Sequence, residues 1–246
     1  MFDLTGRVAL VTGAGQNVGA GIARALAAQG ATVAVNDLHE TRAAETVATI
    51  GDGAVAVPFD VTDYDAVVAG VAAAESALGP VDILVNNAGN AGAETLVPVQ
   101  FRESTPEQWR SSIDVNLHGV LHCSRAVIAG MGDRGFGRVI TIASDAGRIG
   151  VAMGFSAYAA GKGGAIAFMR HLAAENARLG VTANSVALGI MASAVSERTA
   201  AAVKAIPVGR AGTPDDVGAI CAYLASNEAS WLTGQTISIN GGGAFF

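Results

Sequence analysis

Seven short runs of consecutive apolar, mostly β-branched residues recur along the chain, at 8–12, 32–36, 55–59, 83–86, 139–143, 182–186 and 236–239. Most are predominantly apolar rather than alternating, the pattern of strands buried on both faces. Between them lie longer, Ala-rich stretches whose apolar residues recur every three or four positions, predicting helices over 18–29, 40–50, 64–78, 106–131, 155–179 and 214–225. Thr105-Pro106 and Thr213-Pro214 mark two helix starts, and Gly30, Gly79 and Gly180 mark stops. Strictly alternating strands and helices predict an α/β fold: a doubly wound, seven-stranded parallel sheet with helices on both faces. The expectation is one domain over 1–246, with a substrate loop at about 188–212. Ligands of such sheets bind at the carboxyl ends of strands.

Composition narrows the function classes. A net charge of −6 with no basic stripe argues against nucleic acid and anionic membranes as partners. Only 15% of residues are charged, which suggests that part of the surface is covered by other copies of the chain. Cys123 and Cys221 lie alone in predicted helices and read as buried, reduced thiols of a reducing compartment. The start of the chain lacks the layout of a signal peptide, and no apolar run reaches transmembrane length, so a cytoplasmic location is expected. His39, His118, His122 and His171 have no partners at metal-ligand spacing, and no metal is expected.

The chemistry-bearing residues follow strands. After the first run, the turn at 12–19 carries Gly13, Gln16, Asn17, Val18 and Gly19 into a helix, where backbone N–H groups can receive a pyrophosphate. A tight strand-to-helix turn would look similar. Asp37 ends the second strand, placed to accept hydrogen bonds from an adenosine ribose. Leu38 follows it and no neighbouring arginine is evident to neutralise a 2′-phosphate, so NAD(H) is expected over NADP(H). Asp60 and Val61 suit an adenine, and Asn87, Ala88 and Gly89 let the chain pass close to a cofactor. Tyr158 and Lys162 stand four apart, on one face of a predicted helix. A phenol with a pKa of about 10 becomes a usable acid/base at neutral pH when a nearby cation lowers that value. The alternative is an amphipathic helix with a snorkelling lysine.

In their order and spacing, these motifs, with Asn116, Ser144 and the segments 209–214 and 232–235, resemble the short-chain dehydrogenase/reductase family in its single-domain, Rossmann-type form, over essentially the whole chain. The resemblance implies Tyr158 as general acid/base and Lys162 as the residue that lowers its pKa and binds the nicotinamide ribose. It implies Ser144 as the hydrogen-bond partner of the substrate oxygen, and Asn116 as a distortion in its helix that holds a water. Gly189, Met191 and Ser193 would line the nicotinamide, and the substrate pocket would take in Ser144, Arg148, Met153, Phe155 and Met191. Arg148 reads either as an anion contact or as a structural partner of Asp145. Asn17 stands where the family usually has glycine, and Leu188 where it has proline. The implied activity interconverts a secondary alcohol and a ketone with NAD(H). A 3-oxoacyl-thioester reductase using NADPH is the alternative, and a non-catalytic nucleotide-binding protein is a third reading. Family members pair through the two long helices, so a homotetramer is expected, with Phe245 and Phe246 packed in an interface.

Overall fold

The computed structural model of the chain describes residues 1–89, 98–197 and 199–245. Strands β1 (Val8–Val11), β2 (Thr32–Val35), β3 (Ala54–Ala56), β4 (Ile83–Asn86), β5 (Gly137–Ser144), β6 (Val181–Leu188) and β7 (Thr236–Ile239) form one parallel sheet in the order 3-2-1-4-5-6-7. All seven predicted strands are present. β5 and β6 run further than their apolar cores, which sets Ser144 opposite Leu188 in register.

The helices are α1 (Asn17–Ala28), α2 (Glu40–Ile50), α3 (Tyr64–Leu78), α4 (Pro106–Ile113), α5 (Gly119–Asp133), α6 (Ser156–Asn176), α7 (Ala200–Lys204) and α8 (Pro214–Ala225). Successive strand residues point to opposite faces, so one apolar run feeds two cores. Ala9, Val11, Val33 and Val35 pack with Ile22 and Leu26 of α1 and Val217 and Cys221 of α8. Val8, Leu10, Ala34 and Leu84 pack with Val67 of α3, Val127 and Met131 of α5 and Met169 of α6. Leu10, Ile22, Leu26 and Met169 are essentially excluded from water, each worth roughly 1.5–3 kcal/mol of burial.

Caps define the helix starts as expected. Thr105 and Gln108 form a reciprocal capping box ahead of Pro106, as do Thr213 and Asp216 ahead of Pro214. The predicted helix at 106–131 differs: α4 and α5 are joined by a π-helical turn, Asp114–His118, in which the Gly119 N–H donates to Asp114 O, five residues back. The periodicity also missed α7, which is too short to show a repeat and lies inside the predicted substrate loop. Cys123 and Cys221 are buried, and burial pushes each thiol up to about 12. No described helix is long and apolar enough to cross a membrane. Trp231 is 99% exposed and Phe245 86% exposed, while Phe246 lies outside the described residues.

Candidate active site

β1 pairs with β2 on one side and β4 on the other, so the strand order reverses there and a crevice opens at the carboxyl ends. The turn after β1 occupies it. Gly13 has φ +60° and Asn17 φ +47°, so Asn17 adopts the left-handed backbone its substitution for glycine requires. A Cβ on Gly13 would lie 2.8 Å from Ala88 Cα, which makes the close approach of the two loops depend on glycine. Asn87 stitches them together. Its side-chain amide donates to Thr12 O and Gly13 O at 2.9 Å, while its N–H and that of Ala88 donate to Thr12 Oγ1 at 3.1 Å. Gln16 and Val18 flank the start of α1 and Gly19 lies in its first turn, so the N–H groups of that turn face the crevice end of the helix.

Two residues to which sequence reasoning assigns no site role complete this side. Asn36, buried at the end of β2, accepts from the Gly13 N–H (3.3 Å) and donates to Val57 O (3.1 Å) and Phe59 O (3.0 Å). It thereby ties the turn after β1 to the chain after β3. A polar residue closing an apolar run was the available signal. The other is Arg42. The Asp37 carboxylate accepts from the Gly15 N–H (3.1 Å) and the His39 N–H (3.0 Å), so it ties the turn after β1 to its own loop. A Cβ on Gly15 would lie 2.5 Å from Arg42 Cβ and 2.7 Å from Asp37 Oδ2. Arg42 and Asp37 therefore flank the same glycine. Asp60 Oδ1 accepts from the N–H and hydroxyl of Thr62, both at 2.8 Å, beside buried Val61.

The reacting side is built where β5, α6 and the π-helical turn meet. That turn leaves the Ser112 carbonyl without its usual i+4 backbone donor, and the Asn116 side-chain amide donates to it at 2.8 Å. Asn116 is fully buried. Lys162, also buried, donates from Nζ to Ile142 O at 2.7 Å. Gly89 closes the gap: a Cβ there would lie 2.8 Å from Lys162 Nζ and 3.0 Å from Asn116 Oδ1. Ser144 ends β5, where its hydroxyl accepts from the Ala146 N–H at 3.2 Å and lies close enough to the Tyr158 phenol to draw its pKa down. The structure thus brings Asn116, Ser144, Tyr158 and Lys162 together.

The electrostatics differ from the sequence expectation for Tyr158. Burial raises the phenol above its ordinary 10 and outweighs the Ser144 hydrogen bond, which acts the other way. The lowering expected from Lys162 does not prevail. That ammonium is aimed at the Ile142 carbonyl, and burial brings its own pKa down to about 8.

The predicted substrate residues are spread more widely. Phe155 sets its ring edge-on to Tyr158, with centroids 6.3 Å apart, and Met153 is exposed nearby in sequence. Met191 is buried against Gly212, Ser193 is exposed on a single helical turn, and the Gly189 N–H donates to Ile239 O at 3.1 Å. Arg148 turns toward β7, donating to Ser238 Oγ at 2.6 Å, and lines a groove of about 400 Å³ with Thr236, Asn240 and Phe245.

Comparison with known proteins places the chain in a family. A family model described as enoyl-(acyl carrier protein) reductase matches residues 13–243. The chain is 40% identical over 245 residues to an acetoacetyl-CoA reductase of Shinella zoogloeoides, spanning 97% of this chain and 99% of that one. It superposes on a short-chain type dehydrogenase/reductase from Mycobacterium marinum with TM-score 0.90, at 32% identity and covering 99% and 97% of the two chains. It superposes on a gluconate 5-dehydrogenase from Burkholderia cenocepacia, solved with NADP and tartrate, with TM-score 0.88, at 33% identity over 98% and 96%. That complex with NADP overturns the preference for NAD(H) read from Asp37. The structure adds a physical reason: each Asp37 oxygen already accepts a backbone N–H, and Arg42, five residues on rather than next in sequence, sets its Cβ against the same Gly15.

Proposed function

The chain belongs to the short-chain dehydrogenase/reductase family and is an oxidoreductase acting between ketone and secondary alcohol; from that premise we propose that it reduces the 3-oxo group of acyl thioesters with NADPH. The observation that carries the reaction is the approach of the Ser144 hydroxyl, at the end of β5, to the Tyr158 phenol, with Lys162 and Asn116 converging on Gly89 beside them. The substrate class rests on the similarity to an acetoacetyl-CoA reductase along almost the whole chain.

The residues fit the dinucleotide. Gly13, Gln16, Asn17, Val18 and Gly19 would hold the pyrophosphate at the start of α1, and Arg42 would meet the 2′-phosphate. Asp60 and Val61 would take the adenine, while Asn87, Ala88, Gly89, Gly189, Met191 and Ser193 would border the rest of the cofactor toward the nicotinamide. NADPH, when bound, supplies the hydride. The protein supplies the proton and the grip on oxygen. Ser144 donates a hydrogen bond to the ketone oxygen, which strengthens as negative charge develops there. Tyr158 gives that oxygen its phenolic proton. A phenol held above its ordinary pKa is protonated at neutral pH, the form that reduction consumes. Lys162, with a water held by Asn116, would relay a proton from solvent back to the phenol.

The gluconate 5-dehydrogenase offers a second substrate class, a polar hydroxy acid. Arg148 would be the carboxylate partner, and its engagement with Ser238 on β7 weighs against that reading. The low proportion of charged residues supports a homotetramer, with exposed Trp231 and Phe245 covered by neighbouring copies.

The test compares acetoacetyl-CoA, simple ketones and 5-ketogluconate as NADPH oxidants, in wild type and Tyr158→Phe. Turnover should be fastest with the thioester and fall roughly 10²–10⁴-fold in the variant, with NADPH binding by fluorescence unchanged. Wild-type turnover in Tyr158→Phe refutes the acid assignment, and faster turnover of 5-ketogluconate refutes the substrate class.

A further inference from the structure

The turn that follows Ser144 is anchored to a strand that is not its neighbour. β6 lies between β5 and β7, so the ends of β5 and β7 are about 10 Å apart at the ordinary strand spacing. The Asp145 carboxylate spans that gap. Its Oδ2 accepts from Asn240 Nδ2 at 2.8 Å and its Oδ1 from the Ser238 hydroxyl at 3.3 Å. Arg148 donates to the same Ser238 oxygen at 2.6 Å, so a cation stands one hydroxyl away from the carboxylate. Asn240 is fixed in turn, accepting from the Gly242 N–H and donating to Ala244 O, both at 3.0 Å. The bridge passes over Gly189, where a Cβ would lie 2.8 Å from Asn240 Cβ. Asp145 is only 8% exposed, and a carboxylate so buried persists where donors satisfy it.

The backbone bonds of the turn are local. The Asp145 carbonyl accepts from the N–H groups of Arg148 (2.8 Å) and Ile149 (2.9 Å), and the Ala146 N–H donates to Ser144 Oγ. These set the shape of the turn, and the carboxylate sets where it sits against β7. We propose that Asp145 is a positioning residue: by clamping its turn to Ser238 and Asn240, it holds the Ser144 hydroxyl where the reacting oxygen must be gripped. The proposal rests on the reading of Ser144 given above. The resemblance and the comparisons assign nothing to Asp145.

The experiment is a double-mutant cycle on the full chain with NADPH and a ketone substrate. Asp145→Asn keeps size but sets an amide against donors on both sides. It should lower kcat about tenfold through misplacement of the serine, with the KM for NADPH and the thermal midpoint near wild type. If the residue acts through Ser144, the same substitution in a Ser144→Ala background should change kcat by less than about twofold. Exchanging the pair, D145N with N240D, restores one carboxylate–amide bond and should recover most of the loss. An Asp145→Asn enzyme at wild-type rate, or one losing the same factor in both backgrounds, overturns the proposal while leaving Ser144 its role. Ser144→Ala at wild-type rate overturns that role, and this proposal with it.

Discussion

Replacing Lys162 by methionine should flatten one part of the protein's pH–stability profile. The lysine is buried, donates to the Ile142 carbonyl at 2.7 Å, and has its pKa brought down by burial from 10.5 to about 8. A fall of that size corresponds to about 3 kcal/mol. Below pH 8 the group is protonated in both folded and unfolded chains, and folding carries the full cost of desolvating an ammonium. Between 8 and 10.5 the unfolded chain keeps a proton that the native state has released, so stability from this group rises with pH. Above 10.5 the group is neutral in both states and the cost is gone. Methionine has no such window. The stability of wild type relative to Lys162→Met should therefore move in favour of wild type by about 3 kcal/mol between pH 7 and 10.5. Urea unfolding of both proteins without cofactor, at half-unit pH steps, measures this. Measured in a Tyr158→Phe background, the difference is free of the neighbouring phenol, and Cys123 and Cys221, common to both proteins, cancel. A difference that stays constant from pH 7 to 10.5 would show that Lys162 is not a buried charge, and the account of the site's electrostatics would fall.

Two further outcomes follow from distances. Gly89→Ala puts a methyl 2.8 Å from Lys162 Nζ and 3.0 Å from Asn116 Oδ1, inside the ~3.5 Å at which such atoms rest, and a side-chain tip can retreat cheaply. The thermal midpoint should change by only a few degrees while kcat falls about ten- to a hundredfold; equal activity in stopped-flow reduction assays would show the ammonium is not needed in place. Arg42→Ala should raise the KM for NADPH about tenfold or more and leave the KM for NADH nearly unchanged, as expected for loss of one charge-assisted phosphate contact. A parallel rise for both cofactors would place Arg42 in a structural role instead.

The sheet was legible because burial on both faces leaves a blunt signature: β1 is apolar at every position, and β4 at every position before its closing Asn86. Helix starts at Thr105 and Thr213 were legible because capping chemistry is local in sequence. The convergence of Ser144, Tyr158 and Lys162 followed from topology, since β5 delivers the first and the crossover helix after it the other two. What sequence could not show depends on depth or direction. The pKa of Tyr158 hinges on how much water reaches the phenol, which no spacing encodes. Arg42 reaches the same Gly15 as Asp37 from inside α2, so a search confined to the adjacent residue could not find it. Arg148 was placed in the correct turn, but its side chain reaches away to β7.

The π-helical turn at Asp114–His118 has a consequence for the rod it interrupts. One additional residue rotates everything before it by about 100° relative to everything after it. What looks like a continuous cylinder from Pro106 to Asp133 is two helices with separate facings, α4 set against α6 and α5 against α3. Neither half can gain or lose a single residue without swinging its apolar stripe toward solvent. Length variation in this stretch is therefore confined to whole turns, or to the outer ends where no partner helix reads the phase.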